Sequence, residues 1–477
     1  MKQLWAHIST WFLEVPLNKG VFPQAVAGLA LLLLVVLLPY SATKMKGWAA
    51  KRKHPRASLL LMQLLVAAGL YGIGFGLTYL LSNVWVVFGV ELGLLVIRKV
   101  ALALALLGLS IISLVSYRGW RKVVSVFLLI VSLLYGTLGV NAIYGQYPTL
   151  KSLLGYRSFP WLSSSEVHQA DRTVAQWQKQ AEKGTLPAMP AKGIVRTVVI
   201  PASQSGFVAR PATIYLPPAA LSKHPPKLPV MIVLAGQPGS PDRFFLAGDY
   251  QAYLNAFAAR HHGLAPIVVS PDQLGASSHN TLCSDTPIYG KAETYISKDV
   301  PAWISSTLPV EHPGKSWLIG GFSMGGTCAT HLGPRYHDTF GNVISVGGEI
   351  HETDGSEQEM ISRFYRGDRE AYEDHIPARA IEKYGRSWQT FLFGDGQYDQ
   401  IGQKNAKAIA KAALRKGMRV KAFVADGSGH DWHTVQAVFD YGLHQFCWDQ
   451  GLTSQEPNLK DFKKLSPLAL NEPETGL

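Results

Sequence analysis

The fold turns on the stretch Ser316-Trp-Leu-Ile-Gly-Gly-Phe-Ser-Met-Gly-Gly-Thr-Cys-Ala-Thr-His-Leu-Gly-Pro334. An apolar run closes on two glycines, and Ser323 follows inside a Gly-x-Ser-x-Gly pattern from Gly321 to Gly325. Trp317–Gly320 reads as a short buried strand and Gly325–Arg335 as a helix. Between them the chain must turn sharply, and small flanking residues permit the bend. A serine on such a turn has its hydroxyl exposed. The Met324 amide beside it would face a developing oxyanion and gain from the helix N-terminus.

Strands and helices alternate on either side of this turn. Strands are expected at Ile194–Ile200, Ala212–Leu216, Val230–Leu234, Pro266–Ser270, Val343–Val346, Thr390–Phe393 and Val420–Val424. Helical patterns fall at about Tyr250–His262, Ile296–Thr307, Gly402–Lys416 and Thr434–Trp448. This predicts an α/β domain over 194–450, with a mostly parallel sheet covered by helices on both faces. Residues 451–477 are polar, hold Pro457, Pro467 and Pro473, and read as a loose tail.

A serine nucleophile needs a base, and the base needs an acid to orient it. His430, in Asp426-Gly-Ser-Gly-His-Asp-Trp432, follows the last of these strands and precedes the last helix. His433 competes with it, but its position on the following helix suits capping or packing. For the acid, Phe393-Gly-Asp-Gly-Gln-Tyr-Asp-Gln400 offers Asp399, next to a helix start and the preferred choice, and Asp395, which could instead shape the turn or reach substrate. The order Ser323, Asp399, His430 is one in which a serine triad occurs along a chain. Ala235-Gly-Gln-Pro-Gly239 follows the strand Val230–Leu234 and supplies a second oxyanion donor, the Gln237 amide, because Pro238 has no N–H. Glu349 and Trp432 are further candidates for substrate contact. His430 and His433 lack a third metal ligand nearby, so neither a metal nor another cofactor is expected.

The chain has 477 residues, of which 47% are hydrophobic and only 16% charged. An average soluble protein has roughly 25% charged residues, so a membrane part is expected. The net charge of +12 sits almost wholly in residues 1–150, which hold 13 Lys/Arg and two acids, Glu14 and Glu91. The remainder is nearly neutral, which argues against a nucleic-acid partner. Hydropathy separates four spans within 1–145: about Pro23–Ala42, Ala57–Leu81, Arg98–Ser116 and Lys122–Ile143. Gly72 and Gly76 in the second form a Gly-x-x-x-Gly step suited to close helix packing. Glu91 and Arg98 stand two helical turns apart and either pair or are solvated. Lys44, Lys46, Lys51, Arg52, Lys53 and Arg56 crowd the first loop, and Arg118, Arg121 and Lys122 the third. Basic loops stay cytoplasmic, so the α/β domain is expected outside the cell membrane, joined to it by a stalk over 146–193. Three cysteines, Cys283, Cys328 and Cys447, are too few for a disulfide scaffold. Cys283 and Cys328 could join outside the cell, although spacing does not decide it.

Gly-Phe-Ser-Met-Gly-Gly (321–326), Gly-Ser-Gly-His-Asp-Trp (427–432) and the acid loop together resemble the bacterial esterase family. It includes esterase D-like enzymes, feruloyl esterases and mycobacterial mycolyltransferases. The resemblance covers about 194–448 and implies an α/β-hydrolase fold. Phe393–Ile401 looks like the mycolyltransferase acid loop, where the acid is a Glu aligning near Gln400; assigning Asp399 departs from that pattern. Asn280-Thr-Leu-Cys-Ser-Asp285 and Asp299-Val-Pro-Ala-Trp-Ile304 look like multi-span actinobacterial members. The family further implies a helical insertion over 351–385. The substrate follows from topology instead: a catalytic domain tethered to membrane spans meets lipids and wall polymers first. One candidate is an aminoacyl-phosphatidylglycerol ester, on which related membrane-bound members are implicated, and the alternative is mycolyltransferase-like acyl transfer between envelope glycolipids. A hydrolase-like domain without activity, serving as an interaction module, is the expectation of another class. Oligomeric state is not legible.

Overall fold

The computed structural model describes residues 11–39, 47–85, 87, 92–154, 159–352 and 354–470. The chain divides into two compact units, Met1–Arg157 and Ser158–Leu477.

The first unit is built on helices α1 (Val21–Leu37), α2 (Pro55–Tyr79), α3 (Gly93–Ser116) and α4 (Trp120–Tyr144). Among the described residues, three helices are long and apolar enough to cross a membrane: Pro55–Val84, Gly93–Ser116 and Trp120–Tyr144. The first of the four expected spans is only 17 residues long, α1. At 1.5 Å per residue that is about 26 Å, short of the roughly 30 Å of hydrocarbon. The third begins at Gly93, before the expected Arg98, so Arg98 and Lys99 lie inside the helix. Both are good helix formers, and the pair does not break it. Glu91, which either pairs with Arg98 or is solvated on the sequence reading, lies outside the described residues. A Cβ on Gly72 or Gly76 would meet open space, whereas one on Gly74 would stand 2.7 Å from Leu104 Cδ1 and 3.2 Å from Ala101 Cα. The close approach is therefore at Gly74. The C-terminal carbonyls of α1 find donors on other helices: Gln63 Nε2 and Tyr117 Oη on Leu37 O, at 3.2 and 2.6 Å, and Arg121 Nη1 on Leu38 O at 3.2 Å. These groups have no partner within their own helix and no water in an apolar setting.

The second unit holds strands β1 (Ile194–Val198), β2 (Ala212–Leu216), β3 (Val230–Leu234), β4 (Ile267–Ser270), β5 (Asp285–Thr286), β6 (Gly290–Lys291), β7 (Gly314–Phe322), β8 (Phe340–Val346), β9 (Thr390–Gly396), β10 (Arg419–Ala425) and β11 (Leu465–Pro467). Nine of them form one sheet in the order β1-β2-β4-β3-β7-β8-β9-β10-β11, and β5 pairs with β6. The six strands from β4 to β10 in that order run parallel to their neighbours, and the outer pairings are antiparallel. Val230, Met231, Ile232, Val233 and Leu234 are all fully buried. A strand covered on both faces has to be an unbroken apolar run, which is why β3 shows no alternation. The covering helices include α5 (Val174–Glu182), α6 (Tyr250–Arg260), α7 (Val300–Thr307), α8 (Met324–Arg335), α9 (Glu357–Phe364), α10 (Arg369–Asp374), α11 (Pro377–Tyr384), α12 (Gln400–Arg415) and α13 (Trp432–Asp449).

Two expected boundaries change. Much of the 146–193 stretch packs on this unit instead of forming a free stalk. Thr197 N donates to Pro160 O at 2.8 Å, and Leu162 N to Thr197 O at 3.0 Å, adding residues to the sheet edge. Trp177 on α5 is fully buried, and its indole N–H donates to His262 O at 3.0 Å. The tail returns as β11, antiparallel to β10, and Pro467 is tolerated because the strand is an edge. Helices α9, α10 and α11 fill the expected insertion, with Met360, Ile361, Phe364, Tyr365 and Tyr372 packed on Leu282. Cys283 and Cys328 are joined by a disulfide, and Cys447 is buried and free.

Candidate active site

β7 is the central strand of the nine, and Ser323 follows its last residue, Phe322. The serine has φ 55° and ψ −123°, a left-handed conformation that costs a non-glycine residue of order 1–3 kcal/mol. The turn is held by Ser323 N donating to Val346 O at 2.8 Å and by Thr327 N returning to Ser323 O at 3.0 Å. It also needs glycine at 325, where a Cβ would stand 2.1 Å from Leu234 O. From Trp317 to Pro334 every residue is buried except Ser323, which is half-buried. The strain therefore lifts one hydroxyl out of an otherwise closed strand and helix.

Asp399 lies in the loop after β9, and His430 in the loop after β10. His430 Nδ1 is 2.8 Å from Asp399 Oδ2. A carboxylate accepts, so Nδ1 carries the proton and Nε2 is left as the basic nitrogen. The other Asp399 oxygen, Oδ1, accepts from Gly402 N at 2.9 Å and caps α12. Asp431 fixes the histidine loop: it accepts from Gly429 N at 3.0 Å and from His433 N at 2.9 Å, and Ser428 Oγ lies 2.7 Å away. The His430 ring lies against Phe322, with centroids 4.8 Å apart. A Cβ on Gly347 would be 2.7 Å from His430 Cε1. Ser323 is thus bonded to Val346, and the His430 ring lies against the next residue, Gly347. Burial opposes charging the His430 ring, yet the Asp399 carboxylate bonded to it, with Glu349 and Asp431 nearby, raises its pKa above the ordinary value.

The remaining sequence candidates divide. Met324 begins α8, where its amide has no helical acceptor. Gln237 is exposed in the loop after β3, and its side chain is tied to Ser278 O at 2.9 Å. Next to it, a Cβ on Gly236 would be 3.2 Å from Ser323 Cβ, so this loop runs against the serine turn. Glu349 is half-buried, its amide donates to Thr327 Oγ1 at 2.9 Å, and its charge reaches His430. Trp432, expected at substrate, is 6% exposed and packed edge-on against Phe244 at 5.4 Å and tilted on Phe322 at 5.3 Å. Phe322 stands between it and the His430 ring. Asp395 is 1% exposed, and burial first, then the Asp399 charge, drives its pKa well above the ordinary carboxylate value. Its carboxyl is enclosed by the interior. His433 is a surface residue whose Nδ1 lies 3.4 Å from Asp431 Oδ1. Sequence reading missed Asp431 and Gly347. The signal for the first was an Asp directly before a helical pattern, and for the second a Gly-Gly pair closing a strand.

Residues 208–459, just over half of the chain, match the family model described as "Putative esterase". The chain belongs to this esterase family. The chain is 32% identical over 269 residues to an uncharacterized protein of Corynebacterium glutamicum, covering 56% of this chain and 61% of that one. The chain thus spans about three fifths of the length of that curated relative. Among solved structures it is similar to a ferulic acid esterase at 20% identity and TM-score 0.44, covering 55% of this chain and 98% of the other. It is also similar to an S-formylglutathione hydrolase from Agrobacterium tumefaciens at 17% identity and TM-score 0.44, covering 54% and 94%.

Proposed function

We propose that the protein is a membrane-anchored serine esterase whose α/β unit acts outside the cell membrane on an ester of an envelope lipid. The observation that carries the reading is the Asp399–His430 bond of 2.8 Å beside a serine held at positive φ. His430 Nε2 takes the Ser323 hydroxyl proton as Oγ attacks the ester carbonyl, and Asp399 stabilises the imidazolium that results. The carbonyl oxygen becomes an oxyanion held by the Met324 and Gln237 amides. Collapse of this intermediate breaks the bond to the leaving alcohol, which receives the proton from His430. Water, deprotonated by His430, then cleaves the acyl-serine and restores the hydroxyl.

The substrate class follows from tethering. An esterase unit on the same chain as three apolar helices meets lipid esters at high effective concentration. An aminoacyl-phosphatidylglycerol is the specific candidate, with Glu349 suited to its ammonium group. The test is fluorophosphonate labelling of the purified full chain, expected in wild type and abolished in Ser323→Ala. A folded wild-type protein that takes no label would refute the esterase reading. Lipid profiling of membranes with wild type and with Ser323→Ala is expected to show the aminoacyl lipid accumulating in the variant. An unchanged lipid profile removes the substrate assignment.

A further inference from the structure

We propose that the helical unit binds the phosphate of an anionic phospholipid at Arg98 and Lys99. This rests on reading the unit as membrane-spanning, and it extends the lipid-ester reading by naming a headgroup class. Lys99 sits six residues into α3, about 9 Å from its start, and is half-buried against α4. Its Nζ is 3.5 Å from Tyr135 Oη and 5.3 Å from the Tyr135 ring centroid. The aliphatic stem lies in a notch at Gly139, where a Cβ would stand 3.1 Å from Lys99 Cδ. Tyr135 is itself fixed, packed on the cluster of Leu17, Val26, Ala30, Val131 and Leu138. Arg98, adjacent on the helix, is exposed.

Two cations in an apolar helix demand a counter-charge. Among the described residues neither forms an ion pair, and the unit's one described carboxylate, Glu14, is bound by Lys151 at 3.3 Å. A cation one to two turns inside a spanning helix extends its stem toward headgroup depth, where a lipid phosphate supplies the missing charge. The Tyr135 hydroxyl gives that phosphate a further donor. The location also has meaning along the chain. α3 starts at the end of the bundle where α4 finishes, and the polypeptide leaves that end of α4 for the esterase unit. A lipid held there lies at the end of the helical unit from which the chain continues.

The experiment uses the full chain in detergent with native mass spectrometry. The probes are dioleoyl-phosphatidylglycerol, dioleoyl-phosphatidylcholine and excess inorganic phosphate. Wild type should retain phosphatidylglycerol over phosphatidylcholine, and inorganic phosphate should not displace it. The Arg98→Ala/Lys99→Ala variant should retain roughly tenfold less. Lys99→Gln, which keeps the stem in its notch, should lose retention in the same direction. Equal retention by wild type and the double variant overturns the site. Displacement by inorganic phosphate overturns the lipid as its ligand. Fluorophosphonate labelling of the same samples is expected to be unchanged between wild type and variants. Unlabelled wild type that still shows charge-dependent lipid retention would sink the esterase reading and leave this site standing.

Discussion

Asp399 gives one carboxylate oxygen to His430 Nδ1, at 2.8 Å, and the other to the Gly402 amide at the start of α12, at 2.9 Å. The base of the site is thereby registered against a 16-residue helix. Asparagine at 399 would still cap that helix, but its amide nitrogen would face the ring and favour the wrong tautomer. Asp399→Asn should therefore lose on the order of 10⁴ in kcat, with thermal stability nearly unchanged. Asp399→Ala should lose the activity and about 1 kcal/mol of stability with the cap. Hydrolysis of a short nitrophenyl ester and thermal unfolding measure both. Activity of Asp399→Asn within tenfold of wild type would remove Asp399 from the mechanism.

The raised His430 pKa sets an acid limit on turnover. The general base works only when neutral, so kcat/KM should fall as pH drops through a midpoint above the ordinary imidazole value of about 6.5. Glu349 contributes to the rise, so Glu349→Gln should shift the midpoint downward and extend activity into more acidic solution. A pH–rate profile whose acid limb does not move in Glu349→Gln would separate this residue from the site.

Gly347 has φ 59°, and a Cβ there would press on the His430 ring at 2.7 Å from Cε1. Gly347→Ala should displace the imidazole and lower kcat by roughly 10²-fold, the penalty of a misplacement near 1 Å. Because φ is positive, about 1 kcal/mol of stability should go with it. Wild-type kcat in a folded Gly347→Ala would show that the ring has more room than the structure gives it.

How far the sequence carried depends on the range of each signal. β3 was legible to the residue because burial on both faces writes an unbroken apolar run, and β2 because its β-branched and aromatic residues stand between Pro211 and Pro217. The loops that carry Ser323, Asp399 and His430 were legible because each leaves a recognisable strand. β11 was not, since three residues with a proline owe their strand state entirely to β10 beside them. Trp177 was hidden in a polar helix as its one buried residue, a placement that only tertiary packing reveals. Asp395 and Asp399 look alike in sequence. What separates them is depth: one faces an imidazole, and the other is enclosed by the interior. The disulfide joins residues 45 apart, a pairing that no local pattern encodes.

Glu352 joins helix α8 to the insertion. Glu352, 5% exposed, has Oε1 2.9 Å from His331 Nε2 on α8 and accepts from Tyr365 at 3.2 Å through Oε2. Burial raises its pKa to about 8, against the opposing pull of His375 and Tyr365. The unfolded chain releases this proton near pH 4.5, and the folded protein holds it to about 8. Between those values the unfolded state binds fewer protons, so stability falls as pH rises across the window and levels off above it. His375, raised by Glu293 against its own burial, acts in the same direction; Glu293, held down at about 2, titrates only in acid. The Glu352 charge also helps to raise His375, so Glu352→Gln weakens that contribution in the same direction and leaves Glu293 in place. That variant should therefore lose less Tm than wild type between about pH 5 and pH 8, the two curves converging or crossing toward alkaline solution. Parallel Tm curves over that range would mean that Glu352 is already ionised in the folded protein, paired with a charged imidazole.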